Sequence, residues 1–447
     1  MTDPKERPSE TAGSAAEALR LHRRYRGKIQ TMPKCPIRGR DDFALWYTPG
    51  VAAPCRAIVE DPAAVYAHTN KANTIAIVTD GSRVLGLGNI GPEAGLPVME
   101  GKALLFKYLG GVDAVPLCLG SQSSDDIVRT VELVAPTFGG INLEDIAQPK
   151  CFGVLDRLRR GLGIPVWHDD QQGTAAATAA GLINALKLVG KELSGIRIVM
   201  FGMGAANVAV YRLLSAMGVA PEAIVACDSQ GILHRGRRDI EARQDEFSDK
   251  WQVCRRTNAA RLTGGPEAAF AGADLCIAFS RSGPGLIDPR WVETMAPEAI
   301  VFACANPVPE IWPWEAKAAG ARIVATGRSD FPNQLNNSLV FPGLFRGVLD
   351  VRAKAITDEM AYAGALALAG FAEAEGLADD RILPAMDEAE LAAAVAAAVG
   401  ETAREQGLAE RPLSYGEIFE GALATIAAAR RASRALFAAM AEEATGR

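Results

Sequence analysis

Two apolar stretches in the first half of the chain end in paired acids: FGGINL runs into Glu144-Asp145, and IPVW into His168-Asp169-Asp170. Read as strands of an open parallel sheet, both deliver their acids to the carboxyl edge, where ligands gather. Carboxylates brought together there repel one another and need a cation. Hard oxygen donors beside a single imidazole suit Mg²⁺ or Mn²⁺ better than Zn²⁺, which favours Cys and His. Taken singly, each acid serves equally well as the N-cap of a following helix, and His168 reads as a packing residue rather than a ligand.

Lys102 follows the Gly/Pro-rich run from Gly91-Pro92 to Gly101 and is expected to open the apolar helix ALLFKYLGG. An ammonium at the positive end of a helix, among apolar neighbours, is destabilised, so its pKa is expected to fall toward the working pH, as a general base requires. A solvated lysine at a helix start is the alternative. Tyr47 stands in the turn YTPG, a phenol placed either to donate a proton or to pack. Asn306, after the strand AIVFACA, and Asn336 and Asn337, in FPNQLNN, offer uncharged amides that orient a carboxylate or hydroxyl, or form turns.

A third constellation binds rather than reacts. The strand RIVMF leads into Gly202-Met203-Gly204-Ala205-Ala206-Asn207 and an apolar helix, and the next strand, AIVAC, ends at Asp228. Glycines at the first two positions let backbone N–H groups approach a pyrophosphate at a helix N-terminus, and the distal acid bonds the ribose hydroxyls. A structural glycine turn is the bland reading of the same residues. Asn207 occupies the third position, where Gly or Ala is usual, and is expected to loosen helix-to-strand packing. An acid at Asp228 repels a 2′-phosphate, which favours NAD over NADP, although NADP is not excluded.

These residues need elements to hold them. Short apolar runs (TIAIVTDGS, AVPLCLG, FGGINLED, IPVWHDD) alternate with helical stretches, and the pattern repeats from Arg197 onward. That alternation predicts an α/β fold with two α/β domains, the second a Rossmann-like dinucleotide-binding domain. The expected division is an N-terminal catalytic domain over 1–165, a dinucleotide domain over 166–340, and Ala-rich helices over 341–447 that pack back on the first domain or on another subunit. Residues 1 to about 13 read as a lead, and Ala15 to Lys28 as a basic amphipathic helix.

Composition sets the outer limits. With 447 residues, 49% hydrophobic and 22% charged, the chain is an ordinary globular sequence long enough for two cores. Its net charge of -6, without a long basic block, argues against nucleic acid as a partner. No apolar run is long enough for a membrane span, and eight singly scattered cysteines with no signal-like start point to the cytoplasm.

From about Leu21 to about Ala369 the sequence resembles the malic enzyme family, in its short bacterial form. The segments that carry the resemblance are YTPGVA at 47–52, GLGNIGP at 86–92, PVMEGKALLFK at 97–107, GGINLEDI at 139–146, HDDQQGTA at 168–175, ANPVPEI at 305–311 and ATGRSDFPNQLNN at 325–337. The resemblance implies oxidation of malate with NAD(P) and decarboxylation to pyruvate. It gives Lys102 as the base at the C2 hydroxyl, Tyr47 as the acid that protonates C3, and Glu144, Asp145 and Asp170 as metal ligands. Arg83, Asn306 and Asn336 become substrate-binding residues, and a homodimer or homotetramer is expected. Arg281, in AFSRSGPGLI, stands where a small or apolar residue is usual in the family. Two other functions fit the same sequence: decarboxylation of malate to lactate, as in malolactic relatives, and a non-catalytic nucleotide-sensing role.

Overall fold

The computed structural model describes residues 9–445, so residues 1–8 of the expected lead lie outside the described residues. The N-terminal helix runs over Ser9–Tyr25, beginning earlier than the expected Ala15 although Ser, Thr and Gly at its start are weak helix formers. It ends where Arg26 and Gly27 take positive φ, at 55° and 117°. The Pro/Gly-rich stretch after it forms only the short helices Arg40–Trp46 and Ala52–Glu60, with Phe43, Leu45, Trp46 and Val59 exposed.

Thr74–Thr79 (β1), Asp113–Cys118 (β2), Gly140–Leu143 (β3) and Val166–His168 (β4) form a four-stranded sheet in the order β2-β1-β3-β4, parallel throughout. Strands β1, β3 and β4 are buried along their whole length, as expected of a parallel sheet covered on both faces. Val166 was expected to begin the second domain, yet β4 pairs with β3 through Ile141↔Val166 and Leu143↔His168. Its apolar run, IPVW, completes the first sheet and carries both acid pairs to one edge.

Ile198–Phe201 (β5), Ile224–Asp228 (β6), Gly231–Ile232 (β7), Leu275–Ala278 (β8), Ala299–Ala303 (β9) and Ala321–Thr326 (β10) build the second sheet, in the order β10-β9-β8-β5-β6-β7. All neighbours are parallel except β7 against β6. The chain leaves β5 to one side and returns at β8 on the other, which makes the crevice beyond these two strand ends the switch point of a doubly wound sheet.

Helix Thr174–Val189 is buried along most of its length and joins the two sheets. Of the C-terminal helices, Phe341–Asp350, Ala389–Glu405 and Tyr415–Thr445 pack on Pro92–Gly110, and Asp358–Glu375 packs on Thr174–Val189. Small residues bring these helices together. A Cβ on Gly343 would lie 2.5 Å from Ala392 O, one on Gly347 would overlap Ala396 O, and one on Gly400 would lie 2.8 Å from Ile418 Cδ1.

Candidate active site

The carboxyl edge of the first sheet gathers Asp80 beyond β1, Glu144 and Asp145 beyond β3, and His168, Asp169 and Asp170 at β4. Lys102 reaches this edge from the helix Pro92–Gly110, which starts at Pro92 with proline in its first turn. Lys102 is therefore in the helix interior, not at its start, and the helix dipole does not act on it as expected from the sequence. Lys102 is 7% exposed, and its ammonium donates to Glu144 Oε1 at 2.8 Å and to Asp169 Oδ2. Trp167 Nε1 holds the other oxygen of Asp169 at 2.9 Å, and Asn142 Nδ2 holds the other oxygen of Glu144 at 2.9 Å. Each carboxylate thus bridges the lysine to a fixed donor on its own strand.

The electrostatics reverse the expectation for Lys102. Burial alone lowers its pKa, but Asp169, Glu144 and Asp170 outweigh burial and raise it above the ordinary lysine value. In this charge environment Lys102 keeps its proton. Burial raises Glu144 well above the usual carboxylate range, with Asp170, Asp169 and Asp145 adding to it against Lys102. Burial, then Asp170, raises Asp145 to about 8. His168 is buried and pushed down to about 4, a neutral imidazole whose ring nitrogens make no hydrogen bond.

Among the described residues no three His, Cys, Asp or Glu side chains already converge as a preformed metal cage. The donors nevertheless suit a hard divalent cation. Asp145 Oδ2 is buried with no hydrogen-bond partner, Asp170 Oδ2 sits 2.7 Å from the Asp145 backbone N–H, and the local carboxylates destabilise one another as bare anions. A cation bound by oxygen ligands relieves both conditions. Arg83 lies at the rim, exposed, its backbone N–H donating to Asp145 O at 3.0 Å.

Tyr47 is not brought to this cluster. It caps the helix Arg40–Trp46 and its side chain is 72% exposed within the apolar N-terminal arm. Asn306 is brought to the crevice. A Cβ on Gly86 would lie 2.7 Å from Asn306 O, and one on Gly327 would lie 2.7 Å from Asn306 Nδ2, so backbone from the first and the second sheets' loops closes on this one residue. Asn336 accepts the Ser338 N–H at 2.9 Å, which leaves its amide N–H groups to meet a ligand. The adjoining Asn337 packs near Gly173, where an added Cβ would also collide with the Asp169 carboxylate.

In the second sheet the turn after β5 has the expected form. Gly202 takes φ +85°, and a Cβ there would lie 2.7 Å from Ser280 Cβ and 2.8 Å from Phe279 O. Gly204 caps the helix Ala205–Ala216, and the nearest atom to an added Cβ there, Gln148 Nε2, is 3.9 Å away. Open space over backbone N–H groups at a helix start is a cradle that suits a pyrophosphate. Asn207 does not loosen the packing. It is fully buried and its Nδ2 donates to Gly202 O at 2.6 Å, Phe201 O at 3.3 Å and Ile277 O at 3.3 Å. The amide ties the glycine turn to β5 and β8 by hydrogen bonds, where Gly or Ala would act only through small size.

Asp228 ends β6 as expected, but its charge is not bare. Arg237 donates to both of its oxygens, at 2.9 and 3.1 Å, and Lys250 lies 3.3 Å away. The repulsion of a 2′-phosphate read from the sequence is therefore largely cancelled. Asp169, Trp167 and Asn142 were not singled out as site residues by sequence reasoning. Asp169 was signalled by the acid pair, but strand alternation gave no way to tell which of its two acids faces the lysine.

Comparison with known proteins places the chain in a family. Residues 26–159 match the family model "Malic enzyme, N-terminal domain" and residues 171–404 match "Malic enzyme, NAD binding domain". A bifunctional malic/malolactic enzyme of Bacillus subtilis is 49% identical over 405 residues, 90% of this chain and 96% of the relative. An NAD-dependent malic enzyme of Geobacillus stearothermophilus is 47% identical over 86% of this chain and 78% of its own length. Among solved structures, the malic enzyme of Entamoeba histolytica superposes with TM-score 0.93 at 46% identity, over 96% of this chain and 90% of its own. With both of its halves matched in order and a relative nearly half identical over almost its full length, the chain belongs to the malic enzyme family.

Proposed function

We propose that the chain catalyses oxidative decarboxylation of L-malate to pyruvate and CO₂, with reduction of NAD or NADP and dependence on Mg²⁺ or Mn²⁺. The observation that carries the reading is the buried Lys102 bound to Glu144 and Asp169 at the sheet edge that also holds Asp145 and Asp170. A lysine and several mutually destabilised carboxylates at one strand edge, with Asn306 in the adjoining crevice, are the parts needed to bind a dicarboxylate and move a proton at its hydroxyl.

Glu144, Asp145 and Asp170 would hold the divalent cation, which when bound supplies charge that polarises the C2 oxygen of malate. The dinucleotide, cradled at Gly202, Gly204, Ala205, Ala206 and Asn207 with its ribose toward Asp228, supplies the hydride acceptor. Arg83 binds one malate carboxylate, and the amides of Asn306 and Asn336 orient the substrate without adding charge. Lys102 moves the C2 hydroxyl proton, with Asp169 as the fixed partner that shares it. The carboxylates around Lys102 decide where that proton rests, so neutralising them is what frees the lysine to accept one.

Tyr47 is the proposed acid at C3. Its exposed position, beside Phe43, Leu45 and Trp46, supports a homodimer or homotetramer in which a second copy covers this arm. No helix among the described residues is long and apolar enough to cross a membrane.

The test is purified protein with malate, Mn²⁺ and each dinucleotide, following nucleotide reduction at 340 nm together with pyruvate. Folded protein that forms neither product refutes the reading. A second reading, decarboxylation to lactate, is favoured by the bifunctional name of the Bacillus subtilis relative. Lactate without accumulated reduced nucleotide would select it.

A further inference from the structure

Glu310 is a buried acid outside the carboxylate cluster. It is 0% exposed, and its hydrogen-bond donors are all neutral: the Ser280 N–H at 2.7 Å and Ser280 Oγ at 3.0 Å on one oxygen, the Ala305 N–H at 3.0 Å on the other. Burial pushes its pKa up to about 6, against the pull of these donors. A buried carboxylate among neutral partners is costly to keep. A carboxylate accepts at both oxygens, as these donors require, whereas glutamine would turn an N–H₂ toward a donor.

The groups it holds belong to two loops that leave neighbouring strands. Ser280 follows β8 and lies against Gly202, as close as 2.7 Å to a Cβ added there. Ala305 follows β9 and precedes Asn306. Backbone bonds complete the latch: Gly283 N–H to Val308 O at 3.1 Å, and Leu286 and Ile287 N–H to Glu310 O at 3.1 and 3.2 Å. One side chain thus fixes the spacing between the pyrophosphate turn and the amide that enters the crevice. Both loops lie at the carboxyl ends of the strands beside the switch point, where a dinucleotide is bound in a doubly wound sheet.

We propose that Glu310 is a positioning residue for the dinucleotide: its carboxylate holds the loop after β8 against the Gly202 turn and sets Asn306 from the other side. This rests on the dehydrogenase reading above. Loss of the latch lets the two loops separate, and the dinucleotide loses its preformed seat while the carboxylate cluster on the first sheet keeps its own.

The experiment measures Kd for NAD and NADP by calorimetry, and Kd for Mn²⁺ alone, in the wild type, Glu310→Gln, Ser280→Ala and the double variant. Glu310→Gln is expected to weaken the better dinucleotide about tenfold and Mn²⁺ less than twofold, with KM for the dinucleotide rising more than kcat falls. Ser280→Ala removes one donor, is expected to weaken it about threefold, and remains measurable if Glu310→Gln does not fold. The double variant should be no weaker than Glu310→Gln, because both changes break one latch. A dinucleotide Kd within twofold of wild type in either single variant, or additive losses in the double, overturns the proposal. Wild-type protein that binds neither dinucleotide overturns the dehydrogenase reading itself.

Discussion

Replacing Asn207 by alanine separates two accounts of the glycine turn, because they predict opposite signs. If the third position of the fingerprint needs only small size, alanine is the better residue there, and the variant is as stable as wild type or more so. The structure gives Asn207 a fully buried amide with one close hydrogen bond, 2.6 Å to Gly202 O, and two longer ones to Phe201 O and Ile277 O. A net intramolecular hydrogen bond is worth about 1 kcal/mol, and a buried carbonyl left without its donor costs about 1–3 kcal/mol. Alanine also removes the buried Asn207 Oδ1, which has no hydrogen-bond partner, so the expected net loss is about 1–2 kcal/mol in the dinucleotide-binding unit. For a unit of roughly 150–250 residues each kcal/mol moves Tm by about 2–4 °C, so the fall is about 2–8 °C. Scanning calorimetry with and without NAD identifies the transition that belongs to this unit, since ligand raises only that one. A transition unchanged or raised in Asn207→Ala would refute the hydrogen-bond account.

Three further outcomes follow from the cluster and the ribose site. In protein freed of metal with EDTA, Asp145, raised to about 8 by burial and Asp170, keeps a proton that the unfolded chain releases near pH ~4. The stability it lends is full below that pH and lost as pH rises through about 8, so Tm should fall across this window. Asp145→Asn should flatten that fall and abolish the rise in Tm on adding Mn²⁺; an unaltered pH profile counts against the assignment. Lys102→Ala should lower kcat by about 10²–10⁴ while tightening Mn²⁺ binding measured calorimetrically, because an ammonium 2.8 Å from Glu144 is removed; near-normal turnover rejects its proton-moving role. Arg237→Gln uncovers Asp228 and should raise the ratio of kcat/KM for NAD over NADP about tenfold, roughly one charge pair at a partly solvated site; an unchanged ratio means the ribose lies elsewhere.

The strands and their acid-bearing ends were legible because a parallel sheet buries near-continuous apolar runs, and IVTD, GINLED and PVWHDD each end abruptly in charge. The glycine turn was legible for the same reason that it works: a backbone that must take φ +85° beside Ser280 leaves few residues to choose from. The Lys102 helix was read one segment short, since Pro97 and the glycines at 95 and 101 look like a breaker, whereas packing keeps Pro92–Gly110 helical through them. The proton affinity of Lys102 was unreadable. It depends on Asp169 and Glu144, 67 and 42 residues away, meeting its ammonium. Arg237 on Asp228 and Glu310 between two loops escaped notice likewise, because nothing local marks which acid will find which donor across a turn.

The close-set C-terminal helices have a consequence for how this protein tolerates change. Where Gly343 and Gly347 let the backbone of Ala392 and Ala396 sit at contact distance, those alanines of Ala389–Glu405 are spacers whose smallness is the specification. A saturation library should therefore find Ala392 and Ala396, which face these glycines, as intolerant of a single added methylene as the central strands are, while the outer face of the same helix stays open to change.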